Sequence, residues 1–328
     1  MPSPESIRES RPLRLVFCGT PQFAVPTLKH LLEQKDFELL TVITQPDRPR
    51  NRGQQISSSP VKLAAQAANI PIHQPEKIRS PESQSLLEQL APDAIVIIAY
   101  GQIIPARLLP IPRLGWINLH ASLLPKYRGA APIQWAIVNG ETKTGLTTMR
   151  IDAGMDTGDM LLRQEVEVTP TETAPELSAR MSELGAPLMT ETLRVLAANR
   201  ITPQPQNHAE ATMAPLLKRE DGRINWELTA QEIYNRMRGF APWPGAYTTF
   251  RNRACHLWAE PASNEMRGKT AAGPPGTLLS HDGNVLVSCG HATLLRVQHV
   301  KLEGGKQVSA TEFANGARVQ PEEHFDNS

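Results

Sequence analysis

The sequence predicts a doubly wound α/β domain followed by a small β-barrel domain, and three observations indicate this fold class. Short apolar runs alternate with segments of helical periodicity up to residue 200, which is the pattern of a parallel sheet covered by helices. A stretch rich in proline and polar residues follows at 201–215 and is expected to be a linker. Beyond it, short apolar segments recur between turn residues, as in a small barrel.

The first domain begins with an apolar run at 13–18 that ends at Gly19, and this run predicts the first strand. The apolar residues of 23–34 recur at helical spacing, so a helix is expected to follow. Residues 94–99 are almost continuously apolar, which is typical of a strand buried on both faces. The other predicted elements are strands at 37–44, 145–151 and 160–168 and helices at 61–69 and 174–199. Ligands of such a sheet bind at the carboxyl ends of its strands.

The second domain is predicted to contain one helix and five short strands. The helix is expected at 229–238, and the strands at 246–251, 256–259, 276–279, 285–288 and 293–297. The predicted boundaries are a disordered extension at 1–12, a catalytic domain at 13–200, a linker at 201–215 and the second domain at 216–328.

Composition excludes several classes of protein. The 34 Lys and Arg residues nearly balance the 33 Asp and Glu residues, so any nucleic-acid contact must depend on a local basic patch. No apolar run approaches twenty residues, so no membrane span is expected. Three widely spaced cysteines favour free thiols in a reducing cytosol. The histidines lack a metal-ligand pattern, and Gly19 begins no dinucleotide fingerprint, so neither a metal nor a nicotinamide cofactor is expected.

Two polar segments carry the candidate chemistry, and both are predicted to lie at turns between apolar runs. The first, 117–125, contains Asn118 and His120, and the second, 154–159, contains Asp156. An amide can donate to a developing oxyanion. An imidazole exchanges protons near neutral pH, and a carboxylate can orient it or stabilise its cation. Because no serine or cysteine nucleophile accompanies them, direct attack by a substrate amine is the simplest mechanism.

These two segments resemble the active-site signatures of folate-dependent formyltransferases. The longer segment 122–135 resembles the members of that family that act on a charged initiator tRNA. The resemblance covers almost the whole chain from Leu13. It implies a Rossmann-like catalytic domain, a carboxyl-terminal barrel similar to an OB-fold, and catalytic roles for Asn118, His120 and Asp156.

The resemblance also implies the substrates. The formyl donor would be 10-formyltetrahydrofolate, and the acceptor would be the α-amino group of methionyl initiator tRNA, used in translation initiation. The implied folate-binding residues lie in two segments: Ser122, Leu123, Leu124 and Pro125 in one, and Tyr100, Gly101 and Ile103 in the other. For the second segment, a strand end with a purely structural turn is an equal alternative.

A third segment, 44–53, is rich in proline, arginine and glycine. It is predicted to be a mobile surface loop that continues neither a strand nor a helix. In the family the corresponding loop enters the acceptor end of the tRNA, which implies tRNA-binding roles for Arg52, Arg48, Arg50 and Lys62. The sequence departs from the family pattern at Asn51, where glycine is common, and at 54–55, where a lysine pair is frequent. A solvated basic turn is the alternative.

Two other functions are alternatives to tRNA formylation. The chain could be a formyltransferase that acts on a nucleotide-linked amino sugar, or a non-catalytic RNA-binding protein that keeps the barrel. The complete set of Asn118, His120 and Asp156 argues against the second alternative. A cytoplasmic monomer without membrane contact is expected.

Overall fold

The structure, a computed structural model, describes residues 11–50, 55–263, 273–320 and 323–326, except for the side chains of 49, 50, 55 and 56. Residues 1–10 of the predicted disordered extension lie outside the described residues. Arg11, from the end of that extension, donates two hydrogen bonds of 3.0 Å each to the carboxylate of Asp93.

The chain forms two compact units that interleave along the sequence. The first contains the residues up to Gly129, then Gly145–Val166 and Ser178–Met213. The second contains Ala130–Thr144, Glu167–Leu177 and the residues from Ala214 onward. The predicted domain boundaries stay predictions.

The first unit is built on a seven-stranded sheet with the order β5-β2-β1-β6-β7-β8-β9. All neighbouring pairs from β5 to β7 are parallel, and β7 pairs with β8 antiparallel. The chain moves outward from β1 in one direction and then returns to β6 on the other side, so the topological switch point lies between β1 and β6. The strands are β1 Leu13–Gly19, β2 Phe37–Ile43, β3 Arg48–Arg50, β4 Gln55–Ser57, β5 Ile72–His73, β6 Ala94–Ile98, β7 Trp116–His120, β8 Lys143–Arg150 and β9 Met160–Glu167.

The prediction of a doubly wound α/β fold is confirmed. Residues 15–18 of β1 and all of β6 are buried, as expected for central strands covered on both faces. The α-helices among the described residues are α1 Val25–Leu32, α2 Pro60–Ala67, α3 Pro81–Leu90, α4 Pro132–Val138, α5 Ala174–Ala197, α6 Ala230–Gly239 and α7 Ala310–Ala317. None of the described helices is long and apolar enough to cross a membrane.

Residues 48–50 of the segment 44–53 form strand β3, so the prediction of a loop that continues neither a strand nor a helix is wrong for these residues. Strands β3 and β4 pair antiparallel, with Arg48 opposite Ser57. The chain then enters α2 through Ser59, whose hydroxyl accepts a hydrogen bond of 3.0 Å from the backbone N–H of Lys62. A serine cap followed by Pro60 is a strong helix start.

The second unit contains an antiparallel sheet with the order β10-β11-β14-β13-β12, and β15 pairs with β14. Its two edges are joined by the segment 323–326, which pairs with Thr249 in the edge strand β10 and with Thr277 just before the other edge strand, β12. This closure confirms the predicted small barrel. The strands are β10 Tyr247–Phe250, β11 Arg253–Pro261, β12 Leu278–His281, β13 Asn284–Cys289, β14 Thr293–Leu302 and β15 Val308–Ser309.

The core of the barrel centres on Trp226, which is fully buried and stacks on Phe325 with ring centroids 5.7 Å apart. The backbone N–H of Gly290 donates hydrogen bonds to the carbonyls of Trp226 and Leu228, at 2.8 and 2.9 Å. A Cβ atom at Gly290 would lie 1.9 Å from the carbonyl oxygen of Glu227. Only glycine therefore allows this close approach of two backbone segments.

We expect Gly290→Ala to lower the free energy of unfolding by about 1–3 kcal/mol or more, because backbone atoms must move to admit the methyl group. Gly316→Ala is the matched control, since a Cβ there meets nothing within 4 Å. In α7 the control change should be neutral or stabilise by up to about 1 kcal/mol. Urea denaturation of the two variants measures both values, and equal stability would show that the contact at Gly290 costs nothing.

Candidate active site

Strand β7 places Asn118 and His120 on one face of the sheet, because successive side chains of a strand alternate. Asn118 lies opposite Ile97 of β6 and Met149 of β8, and His120 lies opposite Thr147. The prediction that both residues lie at turns is therefore wrong. They occupy the carboxyl-terminal end of a central strand, which holds them more rigidly than a loop would.

Asn118 offers a free amide. Its side chain is half-buried, and it makes no hydrogen bond to any of the residues that the structure describes. An amide group with unused donors at the end of a central strand can bind a substrate oxygen.

His120 is 5% exposed, and each of its ring nitrogens faces a polar group of the protein. Its Nε2 lies 2.9 Å from the carbonyl oxygen of Tyr127. Because a carbonyl can only accept a hydrogen bond, Nε2 carries a proton. Nδ1 lies 3.7 Å from Oδ2 of Asp156, too far for a good hydrogen bond but close enough for the carboxylate to stabilise positive charge on the ring.

Asp156 lies in the turn between β8 and β9, where the sequence predicted a turn. Its φ of 52° is in the left-handed region, which aspartate tolerates better than most residues. Oδ2 accepts a hydrogen bond of 2.9 Å from the backbone N–H of Gly129. Oδ2 of Asp156 thus both fixes the loop that follows β7 and faces Nδ1 of His120.

Gln206 holds the same turn from the other side. Its Nε2 donates hydrogen bonds of 2.8 Å to the carbonyl oxygens of both Asp156 and Gly158. Its Oε1 accepts from Nε and a terminal nitrogen of Arg128, at 3.0 and 2.6 Å. Sequence reasoning missed Gln206, because it lies in the predicted linker, where polar residues carry no periodic signal.

Arg128 is 6% exposed, and its guanidinium is engaged entirely by protein groups. Besides Gln206, it donates to Nδ1 of His208 at 3.2 Å. Its backbone N–H donates to the carbonyl of Thr212 at 2.8 Å. Arg128 therefore supports the site rather than presenting a free charge to a ligand.

The loop after β7 contains four of the predicted folate-binding residues. Ser122 is fully buried, and its hydroxyl donates to the carbonyl of Lys126 at 2.6 Å. Leu124 is 1% exposed and packs with methionines of β8 and β9. Leu123 and Pro125 are half-buried. Leu123 and Pro125 can therefore offer side chains to a ligand, whereas Ser122 and Leu124 shape the loop.

The other predicted folate segment follows β6 and borders a cleft of about 520 Å³ at the topological switch point. The carbonyl of Tyr100 accepts hydrogen bonds from Thr20 and Gln45, at 3.0 and 3.1 Å. Its ring is 2% exposed, burial raises the pKa of its hydroxyl, and that hydroxyl has no partner among the described residues. Gly101 lines the cleft in a left-handed conformation, and Ile103 is 88% exposed.

The structure describes only part of the predicted tRNA-binding set. Arg52 and the side chain of Arg50 lie outside the described residues. Arg48 is exposed and borders the cleft. Nζ of Lys62 lies 2.5 Å from Oδ2 of Asp47, and this pairing is the main reason that the pKa of Asp47 is lowered. Lys62 is 17% exposed, so its charge is largely committed within the protein.

The cysteines and titratable clusters add no further chemistry. Cys18, Cys255 and Cys289 are free and buried, as predicted, and burial raises the pKa of each thiol. Within the described ranges, no group of three or more His, Cys, Asp or Glu side chains could hold a metal ion.

Comparison with known families and curated sequences gives a consistent result. The formyl transferase family profile matches residues 13–193, and the profile for the formyl transferase C-terminal domain matches residues 216–318. A methionyl-tRNA formyltransferase from Koribacter versatilis is 52% identical over 305 residues, which cover 93% of this chain and 96% of that protein. The methionyl-tRNA formyltransferase from Solibacter usitatus is 51% identical over 311 residues, covering 95% and 98% of the two chains.

Similarity to solved structures concerns the fold. The sugar 3N-formyl transferase WlaRD, crystallised with dTDP and 5-N-formyl-THF, superposes with a TM-score of 0.62 at 19% identity, over 88% of this chain and 98% of that one. HypX from Aquifex aeolicus in complex with tetrahydrofolic acid gives a TM-score of 0.59 at 16% identity, over 94% of this chain and 48% of that one.

We expect Gln206→Ala to loosen the turn at 152–158, because two carbonyls lose their donor and the buried Arg128 loses its acceptor. A hydrogen bond to a charged group contributes about 1.5–3 kcal/mol. Hydrogen exchange followed by mass spectrometry should show faster exchange of this turn than in the wild type. Gln204→Ala is the matched control, since Gln204 is exposed and its side chain makes no hydrogen bond within the described ranges. Equal protection of the turn in both variants would contradict the role of Gln206.

Proposed function

The chain belongs to the formyl transferase family, and we propose that it transfers the formyl group of 10-formyltetrahydrofolate to the α-amino group of methionyl initiator tRNA. Relatives that carry the name methionyl-tRNA formyltransferase are about half identical over almost the full length of both chains. The sugar transferase has the same fold but is only 19% identical. We therefore infer the acceptor from the relatives that are about half identical. A cytoplasmic location among the translation machinery is expected for a protein with that acceptor.

The observation that carries this proposal is the arrangement at the end of β7. A free amide at Asn118 and the His120–Asp156 pair occupy the carboxyl edge of the sheet, where ligands of doubly wound folds bind. Because Ile97 of β6 lies opposite Asn118, the segment that follows β6 leaves the sheet at the same edge. A donor bound along that segment would present its formyl group to these side chains.

The reaction needs one bond formed, one bond broken and one proton moved. The neutral amine of the methionyl ester attacks the formyl carbon, and the bond from that carbon to the folate nitrogen then breaks. The amine loses a proton and the folate nitrogen gains one, so no external acid is consumed. Asn118 would donate to the oxyanion of the tetrahedral intermediate. His120 would carry the proton at Nδ1, since Nε2 is held by Tyr127, with Asp156 stabilising its cation.

The folate site is supported by its shape and chemistry. The switch-point cleft combines apolar surface from Pro21 and Pro46 with backbone and side-chain polar groups of Gln45 and Gly101. Ile103, exposed beside it in sequence, offers apolar surface without a protein partner to cover it. A flat pterin with a polar edge suits such a lining.

The direct test is formyl transfer from labelled 10-formyltetrahydrofolate, with charged initiator tRNA and nucleotide-linked amino sugars as parallel acceptors. We expect the label to appear on methionine esterified to tRNA. Label on the amino sugars alone would replace this function with sugar formylation. Absence of transfer to either acceptor would favour a non-catalytic RNA-binding protein.

We expect His120→Ala and Asn118→Ala each to lower kcat by about a hundredfold or more, since proton transfer and oxyanion stabilisation each contribute about that factor. The dissociation constant of uncharged tRNA should stay unchanged in both variants, because neither group holds the polynucleotide. Single-turnover rates and tRNA binding measure the two effects separately. A rate within about tenfold of the wild type would remove the altered residue from the mechanism.

Arg52 is proposed to act on tRNA and not on folate, together with Arg48 and Arg50. Its guanidinium suits phosphates and base edges. Arg52→Ala should raise the KM for charged tRNA and leave folate affinity level, as measured by equilibrium titration. Arg48→Ala is an informative partner variant, because Arg48 borders the cleft. Loss of folate affinity in Arg52→Ala would place this arginine over the folate instead.

A further inference from the structure

The second unit contains a cavity of about 380 Å³ that none of the residues proposed for formyl transfer lines. It lies between α6, the turn at 241–246 and strand β11. Its volume falls within the range of about 300–1,000 Å³ that is usual for sites of small ligands. The cavity is therefore large enough for a flat heterocycle.

Aromatic and apolar side chains dominate the lining. Tyr234 and Met237 contribute from α6, and Leu257 and Trp258 contribute from β11. Trp258 is 40% exposed, whereas its strand neighbours Leu257 and Ala259 are buried. A tryptophan left this exposed on the outer face of a sheet offers a surface on which a planar ring can stack.

Polar groups accompany the rings. Strand β14 has a bulge opposite Trp258, and Gln298 is the extra residue there, because Trp258 pairs with His299 and Ala259 pairs with Val297. Nε2 of Gln298 donates to Glu260 at 2.9 Å, and its amide oxygen has no partner among the described residues. The amide oxygen of Gln298 is thus available at the rim of the cavity to accept a hydrogen bond. The edge of a nucleobase presents N–H groups that can donate one.

Two unpaired cations lie near the same rim. Lys301 is directly opposite His256 in the pairing of β11 with β14, and His256 lines the cavity. Arg219 lies over the ring of Tyr247, 6.0 Å from its centroid, and Tyr247 is the other strand neighbour of His256. The pKa of His256 is lowered first by burial, then by the charge of Lys301 and, less strongly, by that of Arg219. Among the described residues, neither cation has a carboxylate partner.

Four other basic residues of this unit are engaged by protein groups. Arg251 pairs with Glu323, and Arg296 pairs with Glu260. Arg236 donates to the carbonyl of Asp221. Arg238 is buried and donates to Asn235 and to two backbone carbonyls. Lys301 and Arg219, by contrast, offer positive charge beside the cavity to a polyanion.

We propose that this cavity binds one unstacked base of the RNA substrate, with the neighbouring phosphates held by Lys301 and Arg219. This inference rests on the proposed function, in which the acceptor is carried on RNA. Stacking on an aromatic ring is tolerant of sequence, and adjacent cations hold the backbone. Residues 216–328 contain 13 basic and 12 acidic side chains, so their net charge is too small to attract RNA. The barrel can therefore bind RNA only through a local site of this kind.

The test measures binding of uncharged initiator tRNA to the full-length protein over a range of salt concentrations. Trp258→Ala should weaken binding by about five- to a hundredfold without changing the salt dependence, because stacking releases no counterions. Lys301→Gln should reduce the slope of log affinity against log salt by about one unit. Trp258→Phe keeps an aromatic ring for stacking and should therefore recover most of the affinity. This recovery separates loss of stacking from loss of folding as the cause of weak binding in Trp258→Ala.

Trp243→Ala is the matched control, since Trp243 is 56% exposed, lies in the adjacent turn and does not line the cavity. It should bind like the wild type. If Trp258→Ala also binds like the wild type, or if Trp258→Phe restores nothing, the cavity does not hold a base. Because binding is measured on uncharged tRNA, this result is separate from the transfer assay. If formylation is normal and every variant binds tRNA like the wild type, only the assignment of the cavity is wrong. If the wild-type protein does not bind tRNA, both the cavity assignment and the proposed function are wrong.

Discussion

The candidate catalytic centre depends on one buried hydrogen-bond network, in which the guanidinium of Arg128 fixes the amide of Gln206. Once Oε1 of Gln206 accepts from Arg128, its Nε2 can point only toward the carbonyls of Asp156 and Gly158. These two bonds hold the turn that bears Asp156, the proposed catalytic carboxylate. Removing one member would leave a buried charge or carbonyls without partners, which is far more costly than the net gain of a single hydrogen bond.

This constraint explains how strained backbone persists at the site. Tyr127 and Asp156 both have φ values in the left-handed region, 59° and 52°, and such residues cost about 1–3 kcal/mol each. The carbonyl of Tyr127 meets Nε2 of His120, and Gly129 donates to the Asp156 carboxylate. The strained residues therefore occupy the positions that orient the imidazole and the carboxylate. A centre organised in this way before substrate binds has little to rearrange during the reaction.

Much of the fold could be predicted from local pattern. The strands at 13–18 and 94–99 were predictable because both faces of a central strand are buried, and that burial gives an uninterrupted apolar run. The candidate catalytic residues were identified from motif resemblance, but the local structure of Asn118 and His120 was predicted wrongly. Strand β7 is only five residues long and includes two polar side chains, so its composition resembles a turn.

Tertiary contacts could not be predicted in the same way. Gln206 is a polar residue in a proline-rich segment, and its role depends on the fold bringing it to Arg128, 78 positions away in sequence. Lys62 was predicted to bind tRNA, and its pairing with Asp47 could not be read from the sequence. Other basic residues of the barrel, including Arg238 and Arg251, are likewise engaged by acids or carbonyls. Sequence gives the charges of such residues, whereas their partners depend on packing.

The central claim is that Gln206 acts on the reaction through Asp156, and a double-mutant cycle on kcat measures this coupling directly. Asn at 156 tolerates the left-handed backbone as well as Asp does, so Asp156→Asn removes charge without adding strain. Gln206→Ala should slow the wild-type enzyme clearly but have little further effect in the Asp156→Asn background. Such non-additivity is expected of residues that act as one unit. If the two changes multiply independently, Gln206 does not act through the carboxylate and the network is only structural.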